Sequence, residues 1–122
     1  MNMETFTVEG VILKKSELEV PIGPHEFEKM PNDRAIKVNG HYISLKKSLR
    51  VHDHSPEGFH WGYGGSGPAQ TAIAILQDVF GDEFADQHHQ EFKWRVISRM
   101  PDKEEFKIVV DKEALTVVCE YA

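Results

Sequence analysis

The sequence predicts an α+β fold, a small antiparallel sheet packed on two or three helices, in a single domain spanning residues 1–122. Three observations carry that expectation. Asn39-Gly40 stands between two β-branched runs, the chemistry of a type I′ hairpin. Behind Pro68, apolar residues at 69, 72, 73, 76 and 80 fall on one helical stripe. The 122 residues, 40% hydrophobic and 28% charged, suffice for one core and are too few for two ordinary domains.

In chain order, residues 5–13 are rich in β-branched and apolar side chains and read as a strand, with Gly10 as a candidate bulge. Residues 14–33 contain Pro21, Gly23, Pro24 and Pro31 and read as a long surface loop. In the hairpin, a two-residue loop pairs Val38 with His41 and Ile36 with Ile43. Ile36, Val38, His41, Ile43 and Leu45 then share a buried face. Residues 46–61 carry turn chemistry, with a short extended piece at 59–61. Pro68 opens the central helix, with Gly67 as its N-cap and Gln70 reaching back to the cap. Ile75 and Val79 widen its apolar face, and Gly81 ends it. Asp82 caps a second helix over roughly residues 83–99, with Ala85, His89, Phe92 and Val96 on one stripe and Pro101 beyond its end. Residues 106–110 read as a strand. Asp111 caps a short C-terminal helix through Glu120, although residues 116–118 also suit a strand.

Composition excludes several function classes. Lys and Arg number 14 against 20 Asp and Glu, a net charge of -6, and the basic residues are scattered. Generic nucleic-acid binding by phosphate neutralisation is therefore not expected. The longest strictly apolar run, residues 72–76, is far short of the ~20 residues of a membrane span. The first eight residues have neither the basic start nor the apolar stretch of a signal peptide. A lone cysteine, Cys119, allows no internal disulfide, reads as a small buried hydrophobe, and points to a reducing, cytoplasmic setting.

The sharpest chemical feature is the turn at residues 62–67, with four glycines in six residues entering a helix. Free backbone N–H groups and the positive end of a helix dipole favour an anion there. The expected ligand is a phosphate-bearing small molecule such as a nucleotide. Its site comprises Trp61, Gly62, Tyr63, Gly64, Gly65, Ser66, Gly67 and Gln70, with Trp61 or Tyr63 stacking on a base. The alternative is a tight turn that only packs beneath Trp61 and Tyr63. No Lys-Ser/Thr pair follows the last glycine, so this is not a Walker A loop. Gly62, Gly64 and Gly67 match GxGxxG by spacing alone, without a βαβ unit. Ser66 lacks the second glycine of a nucleophile elbow. His54 and His60 are accessory candidates. With His52 they would carry a phosphodiesterase-like reaction if the chain were an enzyme. No metal site is expected from His52, His54 and His60, because no HExxH, helical HxxxH or CxxC spacing is present. His89, on an apolar stripe, reads as a satisfied core histidine. Trp94, between Lys93 and Arg95, reads as a partly buried aromatic. No catalytic residue, metal or cofactor is expected.

Residues 54–70, HSPEGFHWGYGGSGPAQ, are followed by Gly81-Asp82, by Phe92-Lys93-Trp94-Arg95-Val96-Ile97 and by Pro101. In this order they resemble a family of uncharacterised proteins of bacteria, archaea and especially phages and plasmids, which carry a domain of unknown function. The resemblance covers residues 34–101. It departs at the 14–33 loop, which is longer than in typical members, and at residues 106–108, where many members have a tryptophan. It implies a mobile-element setting and no particular activity. The expected function is a non-enzymatic binding protein, as a phage accessory or anti-defence factor in the host cytoplasm. The alternative is a protein inhibitor whose acidic surface contacts a host protein.

Overall fold

β1 (Thr5–Ile12) is the central strand because both of its edges find partners. One edge pairs with β4 (Arg34–Val38) and the other with β6 (Phe106–Asp111), both antiparallel. With β5 (His41–Tyr42) beyond β4 and β7 (Val117–Glu120) beyond β6, the sheet order is β5-β4-β1-β6-β7. A computed structural model describes residues 4–121 in this α+β arrangement. Phe6 and Val8 on β1, Ile36 and Val38 on β4, and Ile108 and Val110 on β6 are buried toward the helices.

The helical layer is α2 (Ser66–Phe80) and α3 (Asp82–Arg95), joined at Gly81, whose φ of 97° suits a residue without a side chain. α2 is buried from Gly67 through Leu76, as its apolar stripe requires. On α3, Ala85, His89, Phe92 and, just past its end, Val96 all face inward. The ring of Phe6 meets Phe80 edge-on at 6.1 Å and Phe92 at 6.5 Å, tying sheet to helices. α3 stops at Arg95 and a 3-10 turn (Ile97–Arg99) leads to Pro101, so the second helix is shorter than its sequence suggests.

The hairpin forms as expected. Asn39 and Gly40 both have positive φ, 49° and 86°, and Val38 pairs with His41. His41 is the exception on its face. It is exposed, because β5 is a two-residue edge strand and its imidazole reaches out to Asp78, 3.1 Å away.

Several other expectations are corrected. Gly10 makes no bulge: the register runs through it on both sides. It is glycine because a Cβ there would lie 2.2 Å from the Phe106 ring and 3.0 Å from Trp61. Residues 14–33 are not loop throughout. β2 (Glu19–Gly23) and β3 (Glu26–Lys29) form a separate two-stranded ribbon, where Pro21 is tolerated because no strand flanks it on a second side. The turn-rich stretch after Leu45 begins with a short helix, α1 (Leu45–Leu49). Near the C-terminus, the Asp111 carboxylate accepts from the N–H groups of Glu113 and Ala114, and Leu115 takes φ 55°. The chain therefore turns back as strand β7 and not as a helix. Cys119 lies on that edge strand and is exposed.

The ribbon is anchored by a buried carboxylate. Glu28 accepts from Ser44 Oγ at 2.6 Å and from the N–H groups of Leu45 and Lys46 at 3.0 and 3.1 Å. It thus occupies the positive end of α1, whose own cap, Ser44 Oγ, accepts from Lys47 N–H. Glu28→Ala leaves these buried donors unpaired and is expected to lower unfolding free energy by roughly 2–4 kcal/mol in urea titrations. Gly40→Val is expected to lose roughly 1 kcal/mol, and no neighbour lies within 4 Å, so the loss reports φ alone.

Candidate functional site

Between α1 and α2 the chain runs from residue 50 to residue 65 without helix or strand, yet Ser55, Phe59 and Trp61 in it are buried. Buried peptide groups outside regular structure need side-chain partners. Gln70, fully buried on α2, supplies two: its Oε1 accepts from the N–H groups of His54 and Ser55 at 2.8 and 3.0 Å. Its Nε2 donates to Ser48 Oγ, which in turn donates to the Leu45 carbonyl. At the next residue, Thr71 Oγ1 accepts from His60 N–H at 3.0 Å and lies 2.7 Å from the His60 carbonyl. Asn32 Nδ2 donates to the Phe59 carbonyl.

Trp61 closes the base of the turn. Its ring is fully buried, its indole N–H donates to the carbonyls of Pro101 and Glu104, and the Arg34 guanidinium lies 4.6 Å above it. Gly62 follows with φ 90°, its N–H on the Ile97 carbonyl and the Asp102 backbone where a Cβ would be. The helix then starts at Ser66 with Gly65 as its N-cap, two residues earlier than Pro68. Gly65 offers no side chain to cap it. Among the described residues, nothing accepts a hydrogen bond from the N–H groups of Gly64, Gly65, Ser66 or Gly67.

Two aromatics border these free amides. Tyr63, 45% exposed, lies against Gly65, and Trp94, 56% exposed, lies against Gly64. Two cations stand close by. Lys93, largely buried, places Nζ 4.3 Å over the Trp94 ring. Arg34 is largely buried, and its Nη1 has no hydrogen-bond partner among the described residues. Its nearest carboxylate contact is Asp33 at 3.8 Å. Burial first, and then the Arg34 charge, hold His60 below the usual imidazole range. Burial, and next Asp102, push the Tyr63 hydroxyl above its ordinary range.

The structure therefore sorts the sequence candidates. Tyr63, Gly64, Gly65 and Ser66 are open to solvent at least in part. Trp61 is buried and has no free face for a base; the exposed aromatics at the turn are Tyr63 and Trp94. Gln70 does not reach back to the helix cap: both ends of its amide are bonded inside the protein. Gly67 is buried, with the His60 ring where a Cβ would be. His60 pairs with Asn32 through Nε2 at 3.3 Å, whereas His54 pairs with His89, Nε2 to Nε2 at 3.1 Å. Among the described residues no group of three His, Cys, Asp or Glu is arranged around a common ion position. Arg34 and Lys93 escaped sequence reasoning, because each lies in a mixed-charge stretch and only the fold brings them to the turn. A cavity of about 370 Å³ between the hairpin and α2, lined by His41, Tyr42, Lys47, Gln77 and Asp78, was equally invisible in the sequence.

Residues 28–118 match the family of unknown function DUF6166, and the chain belongs to that family. The match extends beyond the motif region at 34–101 to take in the end of β3, all of β6 and the start of β7. Curated proteins and solved structures returned no match. Among the described residues no helix is long and apolar enough to cross a membrane.

Two outcomes follow from this geometry. Gln70→Leu strands the His54 and Ser55 amides and is expected to cost roughly 2–4 kcal/mol in chemical denaturation. His54 and His60 both have pKa values lowered from 6.5, for His54 chiefly by burial and then by His52. The folded state disfavours their protonation, so stability is full above pH 6.5 and falls as pH drops below it. Urea midpoints measured from pH 7.5 to 5 are expected to decline, and to decline less in His60→Gln.

Proposed function

We propose that this protein is a non-enzymatic binding protein that takes a phosphate-bearing small ligand, such as a nucleotide, on the glycine turn. The observation that carries the reading is the set of unpaired amides at residues 64–67, and with it Arg34, which lies over the ring of nearby Trp61 with a buried Nη1 that has no partner among the described residues. Free N–H groups at a helix start favour an anion, and a guanidinium with an unpartnered Nη1 favours one further. In a chain of net charge -6, two largely buried cations at one turn run against the overall field, which argues for a local task. Tyr63 and Trp94 supply aromatic faces on which a base would stack, in place of Trp61. In the mobile-element setting implied by the sequence resemblance, this would make the protein an accessory or anti-defence factor that sequesters or senses a nucleotide.

A second reading has its own support. Tyr63 and Trp94 are large, exposed and border the same turn, and exposed aromatics are the usual anchors of protein interfaces. Under that reading the turn and its aromatics dock on a host protein.

The test is a thermal-shift panel of inorganic phosphate, pyrophosphate, nucleotides and cyclic nucleotides. A ligand at 100 times its Kd adds about 2.7 kcal/mol to stability. Gly65→Ala is expected to abolish the shift while retaining the fold. Its methyl meets only the edge of the exposed Tyr63 ring, at 2.8 Å, and it sits within the run of free amides. A panel without any shift, together with a strongly destabilised Gly65→Ala, would leave the turn a packing element and overturn the ligand reading.

A further inference from the structure

The loop that follows α1 and the inner face of α3 bring three histidines together. The rings of His52 and His54 are stacked, 4.2 Å apart and within 2° of parallel. His89 lies 5.2 Å from His54 and 5.7 Å from His52, centre to centre. The closest approach is between two nitrogens, His54 Nε2 and His89 Nε2, at 3.1 Å.

The surroundings define what those nitrogens are. His89 Nδ1 lies 2.9 Å from the Ala85 carbonyl and 3.0 Å from that of Asp86, so it carries the proton and donates. His89 Nε2 therefore presents a lone pair. An imidazole whose Nδ1–H is held by a backbone carbonyl is oriented in the way that metal-ligating histidines are. His54 is fixed as well: its own N–H is held by Gln70, and its ring is stacked on His52. Without a metal, His54 Nε2 must donate its proton to His89 Nε2. Moving that proton to Nδ1, or losing it from the protonated ring, leaves two Nε2 lone pairs 3.1 Å apart, available to a shared ion. Two nitrogens each ~2.0–2.1 Å from a tetrahedral zinc ion lie roughly 3.3 Å apart, close to the separation found here.

We propose that His54 and His89 form a two-histidine site for a late divalent transition metal of the zinc, cobalt or nickel type, with water in the remaining positions. A donor set of neutral imidazoles suits these ions and does not suit magnesium or calcium. The assignment differs from the His52, His54 and His60 set, since His60 faces Asn32 and the partner of His54 comes from α3. His52 serves as a stacking support. The charged groups acting on His54 from the two packed elements are His52 and Asp53 on the loop, and His89 and Lys93 on α3. Gln90 Nε2 lies 3.4 Å from His89 Nε2 and borders the same point. Lys93 opposes a cation there and Asp53 favours one.

The experiment is calorimetric titration of untagged protein with zinc sulfate at pH 7.5, paralleled by visible absorption with cobalt chloride. One equivalent is expected to bind. His54→Gln and His89→Gln are each expected to weaken binding by roughly tenfold or more, with the fold checked by circular dichroism. His54→Gln lies on the loop and keeps the assignment testable should the α3 variant fail to fold. His52→Phe, which retains the ring stack, is expected to keep one equivalent. Binding is expected to weaken at pH 5.5, where protons compete for the same nitrogens. No saturable binding at pH 7.5, or full binding by the folded His54→Gln variant, would overturn the site, and loss of binding in His52→Phe would overturn its two-ligand form.

Discussion

The fold depends on how one irregular segment is held. Residues 50–65 run from α1 to α2 without a ladder or a helix of their own, and the amides buried among them cannot turn to water. Gln70 and Thr71, adjacent on α2, and Asn32, ahead of β4, provide the missing partners. Because Gln70 and Thr71 sit on α2 and Asn32 stands just ahead of β4, the segment takes one path. That path seats Trp61 beneath Arg34 and delivers the glycines to the start of α2 with their amides free. A buried polar network of this kind is favourable only while every member is paired, so it specifies the loop as well as stabilising it.

The glycines have separate reasons to be glycine. Gly62 needs its positive φ, and a side chain at Gly67 would enter the His60 ring. Gly64 and Gly65 have no such φ, and what they exclude are the edges of Trp94 and Tyr63, two exposed rings. The outer pair thus keeps a shallow, aromatic-bordered surface over the unpaired amides, while the inner pair shapes the chain. This division separates the part of the turn that builds the fold from the part that faces solvent.

Local chemistry made much of the fold legible. Asn39-Gly40 fixed its hairpin because both residues tolerate positive φ, and the stripe from Ala69 to Phe80 had no other place to go than the core. What stayed hidden depended on tertiary partners. The β2–β3 ribbon is rich in proline and glycine and is held by Glu28 reaching α1, a contact between residues 16 to 18 positions apart. Gln70 looked like a cap residue because its position relative to Pro68 suited one, yet burial committed it to the loop at 54–55. The site was half legible. The glycine turn stood out, but Arg34 and the His54–His89 pair come from distant segments whose meeting no spacing in the sequence encodes.

The proposed anion site requires that the unpaired amides at residues 64–67 receive the ligand. Nitrogen–proton correlation NMR of the labelled protein during titration with pyrophosphate tests it directly. The account predicts saturable shifts centred on the amides of Gly64, Gly65, Ser66 and Gly67 and on the Arg34 side chain, with Gln70 unmoved. Amide signals at the turn that stay fixed while others shift, or a spectrum that does not respond at all, would contradict it.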